Sequence, residues 1–176
     1  MEPRDLLDDA FDRLNDDVRR IAEGTDATTL AHRPDPGANS IAWLLWHTTR
    51  VQDDHVAELA GHQQVWTATG WAERFGLDLP TEDTGFGHGP DQVAAVRPDG
   101  PEPLVAYHAE VTAHTKAYLE RLDADELDRV IDDHFDPPVT VGVRLVSVVH
   151  DGMQHLGQAA YLRGMIERGR ADRTTD

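Results

Sequence analysis

The spacing of apolar side chains predicts two long amphipathic helices in the first part of the chain. The first runs from Pro3 to about Glu23, where apolar residues return at helical spacing between acids and arginines. The second runs from Ile41 to about Ala60. It follows Ser40, whose hydroxyl suits a helix N-terminus, and stops at Gly61, a residue type that commonly ends helices.

The same periodicity predicts two further helices. One covers residues 102–122, and a short helical piece over 123–130 and a break over 133–140 follow it. The other begins after Thr140, a second candidate N-cap, and extends to about Arg168. Its valine-rich start resembles a buried strand, but the helical period continues well past strand length. These patterns, with no convincing hairpin signal, predict an all-α fold, a four-helix bundle.

The segments between the helices are rich in residues that interrupt helices. Residues 24–39 combine Thr, Pro, Gly and Asp, and we expect an ordered connection without helix there. Between the second and third helices, residues 61–100 form a long, partly ordered loop, of the kind that usually has a function. Its Trp66, Trp71 and the GFGH stretch around His88 are typical of loop packing or of a lid, and His88 is then a candidate acid or base.

Length and terminal composition indicate one compact domain. A chain of 176 residues has room for one core and is short for two typical domains. We assign residues 1–170 to a single helical domain and 171–176 to a disordered tail. The N-terminal stretch carries acids where a signal peptide needs positive charge, and no run approaches about 18 consecutive apolar residues. We therefore expect a cytoplasmic protein.

The charge balance excludes two classes of partner. Asp and Glu number 33 against 16 Lys and Arg, which gives a formal net charge of −17. Such a field repels phosphate backbones and anionic membrane surfaces, so we expect a small-molecule substrate and neither nucleic acid nor membrane. The sequence contains no cysteine, which leaves His, Asp and Glu as the ligands of any metal ion.

Three residues on two predicted helices form a candidate metal site. Asp151 and His155 are four positions apart, so they stand on one helix face with Cβ atoms about 5 to 6 Å apart. His47 lies in the middle of the second helix, and a bundle can bring it against that face. Two imidazoles and one carboxylate leave coordination positions open and suit zinc first, then nickel or iron. The alternative is a hydrogen-bonded core histidine and a solvated helical pair.

Two arginines at helical spacing from these residues are candidates for binding a substrate or cosubstrate. Arg50 follows His47 at i+3, and Arg144 precedes Asp151 by seven positions. A guanidinium at either position can pair with a carboxylate of the substrate or of the protein. A solvated salt-bridge face explains Arg50 at least as well, and for Arg144 pairing with a nearby acid comes ahead of a role in the reaction. His55, eight positions after His47, is expected to lie too far along the helix to reach the same ion.

Two segments of the sequence resemble a known family. SIAWLLWHTTRVQDDHV, followed about a hundred residues later by VVHDGMQHLGQAAYLRG, is similar to the DinB-like (YfiT-like) superfamily of metal-binding four-helix bundles. That superfamily is related to the mycothiol-dependent maleylpyruvate isomerase N-terminal domain. The likeness extends over nearly the whole chain in the order and spacing of the helices.

The resemblance implies a metal held by a histidine on the second helix and by an i,i+4 pair on a later one, either His-x-x-x-His or Glu-x-x-x-His. In this sequence these positions are His47, Asp151 and His155, and the last is followed by Leu156-Gly157-Gln158, as in the family. Asp151 departs from the pattern, since it is one methylene shorter than Glu. His150 is the rival ligand, although it points about 100° away around the helix.

The resemblance also implies a function. The leading hypothesis is a divalent-metal-dependent S-transferase, in which the ion activates a low-molecular-weight thiol of the mycothiol type for attack on small electrophiles. A metal-dependent hydrolase or isomerase would use the same ligands. In a non-catalytic, stress-associated bundle, the ion would instead clip two helices together. No residue is assigned as catalytic. The relatives and the apolar faces of the first and third helices are compatible with a homodimer.

Overall fold

A computed structural model of the protein, which describes residues 2–173, confirms the all-α bundle. In chain order the elements are α1 (Pro3–Ala22), α2 (Ala27–Ala31), α3 (Ile41–Ala60), α4 (Val65–Ala68), α5 (Trp71–Phe75), α6 (Pro90–Ala95), α7 (Glu102–Leu119), α8 (Ala124–Leu127), β1 (Val130–Asp132), β2 (Val139–Thr140) and α9 (Val141–Arg173). The long helices α1, α3, α7 and α9 are the four predicted ones, and their apolar faces share one hydrophobic core.

The helix ends follow the capping residues that the sequence indicates. The hydroxyl of Ser40 accepts a hydrogen bond from the amide of Trp43 at 3.1 Å, and Gly61 ends α3 with a φ of 69°. At the start of α9, the hydroxyl of Thr140 accepts from the amide of Val143 at 3.3 Å. These caps fix where the two helices that carry the candidate ligands begin.

The connections contain more regular structure than the sequence predicts. The expectation of no helix in residues 24–39 is wrong: Asp26 caps the short α2 by accepting from the amide of Thr29 at 2.7 Å, and Leu30 packs into the core. Core burial thus stabilises a turn that the local composition disfavours. Residues 130–140 form a small antiparallel sheet of β1 and β2 where the sequence predicts a break.

The last helix is longer than its periodicity indicates. α9 extends to Arg173 and so enters the segment 171–176, which the sequence assigns to a disordered tail. Residues 174–176 of that segment lie outside the described part of the chain. Among the described residues, no helix combines the length and the apolar character that crossing a membrane requires.

The bundle is centred on α3, whose residues 41–50 are all buried. A glycine on α9 allows a close approach: a Cβ at Gly152 would stand 3.1 Å from Leu14 on α1 and 3.4 Å from Thr48 on α3. This agrees with the close helix packing that a glycine inside a helix indicates. The contact brings the face of α3 that carries His47 against the face of α9 that carries Asp151.

The tryptophans of the long loop pack on α7. The ring of Tyr107 lies 5.2 Å from Trp66, 5.6 Å from Trp71 and 6.0 Å from Phe75, measured between ring centroids. The indole of Trp71 also donates a hydrogen bond to Glu110 at 2.7 Å. These aromatic residues therefore anchor the loop to the bundle by ordinary packing.

Candidate metal centre

The three residues that the sequence singles out as ligands lie together in the structure. His47, Asp151 and His155 each place one ligand atom within 4.8 Å of those of the other two. The two imidazole rings are 4.8 Å apart at an interplanar angle of 76°, and Oδ1 of Asp151 is 3.4 Å from Nε2 of His155. α3 supplies the first residue and one turn of α9 supplies the pair, so helix packing forms the group.

His47 is fixed with one nitrogen available. Its Nδ1 lies 2.5 Å from the carbonyl oxygen of Thr84, and a carbonyl only accepts, so Nδ1 carries the hydrogen and Nε2 carries the lone pair. The indole of Trp43 stacks on the ring at 4.5 Å and 16°. Such an outer hydrogen bond orients a histidine for ligating a metal through its other nitrogen.

The ionisation of His47 favours the same role. Burial lowers the pKa of His47; the hydrogen bond to Thr84 raises it and the nearby His155 lowers it, with a net result below the usual value. A metal ligand must be the neutral imidazole, and a lowered pKa keeps the ring neutral at ordinary pH.

Asp151 and His155 each contain one buried atom without a hydrogen-bond partner among the described residues. Oδ2 of Asp151 and Nδ1 of His155 are buried and make no hydrogen bond with any residue that the structure describes. Burial acts to raise the pKa of Asp151, but the hydrogen bond from His155 and the charge interactions with His155 and His47 outweigh it, so the pKa is lowered. Buried polar atoms normally have partners, and a cation would supply one.

Both the unpartnered buried atoms and the types of ligand in this group fit a divalent ion. It offers two imidazole nitrogens and a carboxylate, the ligand set of many catalytic zinc sites. Ligand atoms around a tetrahedral zinc ion stand roughly 3.4 Å apart. The ligand atoms here lie within 4.8 Å of one another, so side-chain movements of about an ångström would bring them to that spacing. The rival ligand His150 is exposed on α9, outside this group, and the structure favours Asp151 over it.

A glycine of the long loop lies directly on His47. A Cβ at Gly85 would stand 2.7 Å from Nδ1 of His47, 3.1 Å from Trp46 and 3.2 Å from Trp43. Gly85 also has a φ of +95°, a value that other residues rarely adopt. The backbone therefore approaches the site as closely as it does because this residue has no side chain.

His88 holds that loop segment in place. The indole N–H of Trp43 can only donate, so it donates to Nδ1 of His88 at 3.0 Å, and Nε2 of His88 donates to Oδ2 of Asp83 at 2.8 Å. With both nitrogens engaged and its side chain 1% exposed, His88 is not available as an acid or base. The GFGH stretch lies against His47, and His88 contributes to packing.

A cavity of about 420 Å³ opens beside the ligand group. It is lined by His47, Val51, Asp54, His55, Thr84, Phe86, Ser147, Val148 and Asp151. A larger groove of about 830 Å³ lies between α1 and α7, but none of the candidate ligands lines it. The smaller cavity is therefore the candidate substrate site.

Most residues of this lining were not predicted from the sequence as site residues. His55, which was expected not to reach the same ion, lies outside the ligand group but shares the cavity with His47, because two helical turns return it to the same face. Val51, four positions after His47, also lies on this helix face, so its spacing in the sequence could have indicated that it lines the cavity. Nothing in the sequence indicates Thr84 or Phe86, since they come from the loop.

Arg50 lies away from the cavity, contrary to the suggestion that it binds a substrate or cosubstrate. Its side chain is 0% exposed, beneath the loop: Nε donates to the carbonyl of Asp83 at 3.1 Å and Nη1 to Gln64 at 2.7 Å. The guanidinium is also 3.7 Å from Asp53 and 5.0 Å from the ring centroid of Trp66. These contacts give Arg50 a structural role.

Arg144 lies next to the cavity-lining His55 and contacts protein groups. Its Nη1 is 3.0 Å from Nδ1 of His55 and 3.5 Å from a carboxylate oxygen of Glu58. Arg144 thus contacts a cavity-lining histidine and a nearby acid, and its role in binding a substrate stays a prediction.

Comparisons with known proteins agree with this architecture. The family model of the DinB superfamily matches residues 10–159. A solved structure, that of a conserved protein from Enterococcus faecalis, is 35% identical to this chain, with a TM-score of 0.86. The match covers 93% of this chain and 96% of that one. The comparison with curated proteins gave no match.

Proposed function

Because the chain belongs to the DinB superfamily, we propose that it is a divalent-metal-dependent enzyme that activates a low-molecular-weight thiol for attack on small electrophiles. One observation carries the proposal: His47, Asp151 and His155 converge beside a cavity, and two of them have a buried atom with no hydrogen-bond partner in the described part of the chain. An S-transferase needs both a charge that stabilises a thiolate and space for a second reactant.

His47 through Nε2, one oxygen of Asp151 and one nitrogen of His155 would hold the ion. A bound divalent cation lowers the pKa of a coordinating thiol and so supplies a thiolate at neutral pH. Three protein ligands leave a position for that thiol, as in catalytic zinc sites generally. Zinc suits this ligand set first, and nickel or iron also accepts it.

The cavity gives the electrophile a binding surface. Val51, Val148 and Phe86 form an apolar part of the wall, and Asp54, His55 and Ser147 form a polar part. The volume of about 420 Å³ lies in the range of small-molecule sites. The side chain of Phe86 is 92% exposed at the rim, where an apolar ligand can cover it.

Metal analysis tests the ligand set. Protein purified without chelators is expected to contain about one ion per chain, by inductively coupled plasma mass spectrometry. His47→Gln and Asp151→Asn should lose most of it, since each removes one of three ligands. His150→Gln is the matched control on the same helix and should retain it. Metal-free wild-type protein, or loss in the His150 variant with retention in Asp151→Asn, would contradict the assignment.

Thiol transfer tests the reaction. The metal-loaded protein, a thiol such as mycothiol and 1-chloro-2,4-dinitrobenzene should give conjugate faster than the uncatalysed mixture, and His47→Gln should abolish the acceleration. Replacing the ion by Co²⁺ gives a second measurement, because thiolate coordination produces a sulfur-to-cobalt absorption band. A metal-loaded protein that shows neither acceleration nor this band is a non-catalytic bundle, in which the ion clips α3 to α9.

A further inference from the structure

We propose that His55, held in a single tautomer by Arg144, donates a hydrogen bond from Nε2 to a carbonyl oxygen of the substrate in the cavity beside His47. The inference rests on the proposed function for the presence of a small-molecule substrate. The arrangement of His55 and Arg144 itself involves none of the candidate metal ligands. It assigns a binding role to His55 and a positioning role to Arg144.

The tautomer of His55 follows from which atoms of His55 and Arg144 can donate a hydrogen bond and which can accept one. Nη1 of Arg144 is 3.0 Å from Nδ1 of His55. A guanidinium has N–H donors and no acceptor, so Nδ1 must be the acceptor. The ring hydrogen of neutral His55 therefore lies on Nε2. Glu58, 3.5 Å from Nη1 of Arg144, pairs with the same guanidinium and helps to hold it.

The donor nitrogen of His55 is available to a ligand. Among the residues that the structure describes, Nε2 of His55 makes no hydrogen bond, and it does not belong to the buried atoms without partners. The side chain is about one-third exposed and lines the cavity. A donor without a protein partner at the wall of a cavity is suited to fixing the orientation of a ligand.

The surroundings keep His55 neutral. Burial lowers the pKa of His55 and the positive charge of Arg144 lowers it further, against the opposite effects of Asp54, Glu58 and Asp151. His55 is then a neutral N–H donor with a cation behind it. Such a donor favours an oxygen that carries, or gains, negative charge.

This preference specifies the electrophile. In an α,β-unsaturated carbonyl compound, the thiolate sulfur forms a bond to the β-carbon, and the C=C electron pair shifts toward the carbonyl group. The carbonyl oxygen gains negative charge and accepts the hydrogen bond from His55, and a proton from water adds to the α-carbon. Nothing is oxidised or reduced. The apolar residues Val51, Val148 and Phe86 suit the carbon skeleton of such a compound.

The first experiment measures the tautomer. Long-range ¹H–¹⁵N NMR spectra of the full chain with ¹⁵N-labelled histidine, assigned with His55→Gln, should show His55 with hydrogen on Nε2. Arg144→Gln should give a mixture of tautomers, because the amide of Gln can accept as well as donate. Arg144→Lys should restore the single tautomer, since an ammonium only donates. Arg163→Gln, on the same helix, is the matched control and should leave the spectrum of His55 unchanged. Wild-type His55 with hydrogen on Nδ1, or a tautomer indifferent to Arg144→Gln, overturns the proposal.

The second experiment measures the ligand in the absence of thiol. Benzylideneacetone should shift the Nε2–H signal of His55, and β-methylstyrene, which lacks the carbonyl, should not. In His55→Phe, which keeps a ring but removes the donor, the ketone should bind about tenfold more weakly, the loss of one hydrogen bond. Equal binding to both proteins, or no binding of the ketone to wild type, overturns the proposal. Ketone binding through His55 in a protein that takes up no metal and transfers no thiol would instead refute the proposed function and leave the role of His55 intact.

Discussion

The backbone of Gly85 lies against the imidazole of His47, so that a Cβ on Gly85 would approach Nδ1 of His47 to 2.7 Å. That distance is well inside van der Waals contact. The carbonyl of the preceding residue, Thr84, is also the group that accepts the hydrogen bond from Nδ1. A single loop segment therefore both orients the candidate ligand and limits the space around it.

We predict that Gly85→Ala displaces this segment and weakens metal binding. The new methyl group meets His47, and the φ of +95° adds backbone strain, so we expect a loss of about 2 to 4 kcal/mol in the free energy of unfolding. Gly87→Ala is the matched control: its φ is +74°, but among the described residues none except its chain neighbours comes within 4 Å of its Cβ position. It should cost about 1 kcal/mol and retain the ion. Thermal unfolding and zinc titration measure both, and equal effects of the two variants would refute the argument.

A second glycine pair tests the packing of α9. Gly152→Ala places a methyl group 3.1 Å from Leu14 and 3.4 Å from Thr48, and we expect a loss of about 1 to 3 kcal/mol from overpacking. Gly157→Ala lies on the same helix, and apart from the helix's own backbone and the chain neighbours no described residue comes within 4 Å of its Cβ position, so this variant should instead stabilise the protein by up to about 1 kcal/mol. Urea unfolding gives both values. If Gly152→Ala stabilises as much as Gly157→Ala, α9 does not approach α1 and α3 as described.

The buried carboxylate of Asp53 is expected to be essential for stability. It accepts hydrogen bonds from two backbone amides at the start of α4, each at 2.8 Å, and from the hydroxyl of Tyr107 at 2.7 Å. Arg50, 3.7 Å away, is fully buried and depends on this negative charge. Asp53→Asn should therefore cost about 3 to 5 kcal/mol of unfolding free energy. Asp9→Asn, which breaks an exposed pair on α1, should change stability little. A similar small effect of both variants in denaturant unfolding would contradict this account.

The pH dependence of stability should include a contribution from His108. Burial lowers the pKa of His108 to about 4, whereas an unfolded histidine titrates near 6.5. Between these pH values the unfolded chain binds more protons, so the free energy of unfolding falls as the pH drops through this window. The fall amounts to about 2 kcal/mol between pH 7 and pH 5. Below about pH 4 both states are protonated and this contribution levels off.

Two variants isolate that contribution. His108→Gln should flatten the decline in unfolding free energy between pH 7 and pH 5, measured by urea unfolding at each pH. His134→Gln removes a histidine whose side chain is 89% exposed and should leave the decline as in the wild type. An identical pH dependence in all three proteins would show that His108 accepts a proton in the folded state as readily as in the unfolded one.

The parts of the fold that depend on helical periodicity were predictable from the sequence. A helix buries one face, so the apolar spacing located α1, α3, α7 and α9, and residues such as Ser40 and Gly61 marked where one of them begins and ends. The same periodicity placed Asp151 and His155 on one face. The prediction that His47 lies near that face also assumed that the helices pack as a bundle. The structure has that bundle, and His47 lies next to Asp151 and His155.

The parts that depend on the long loop were not predictable. Arg50 at i+3 from His47 looks like a surface residue on helical spacing, and its burial follows from the loop that covers it. The contact between Thr84 and His47 joins residues 37 positions apart without a regular element to set the register. The sheet of β1 and β2 is likewise too short for a period-2 pattern to be recognised, and its pairing is decided by the packing around it.

The two sides of the candidate site belong to parts of the molecule with different resistance to opening. His47 lies in the stretch of α3 that is buried on every side, where backbone amides exchange with solvent only when much of the bundle unfolds. Its cover, the segment around Thr84 and Gly85, is held by a small number of hydrogen bonds and contains two glycines with positive φ. Local opening of that segment therefore costs far less than separating the helices, and it uncovers one side of His47 while α3 keeps that residue in position.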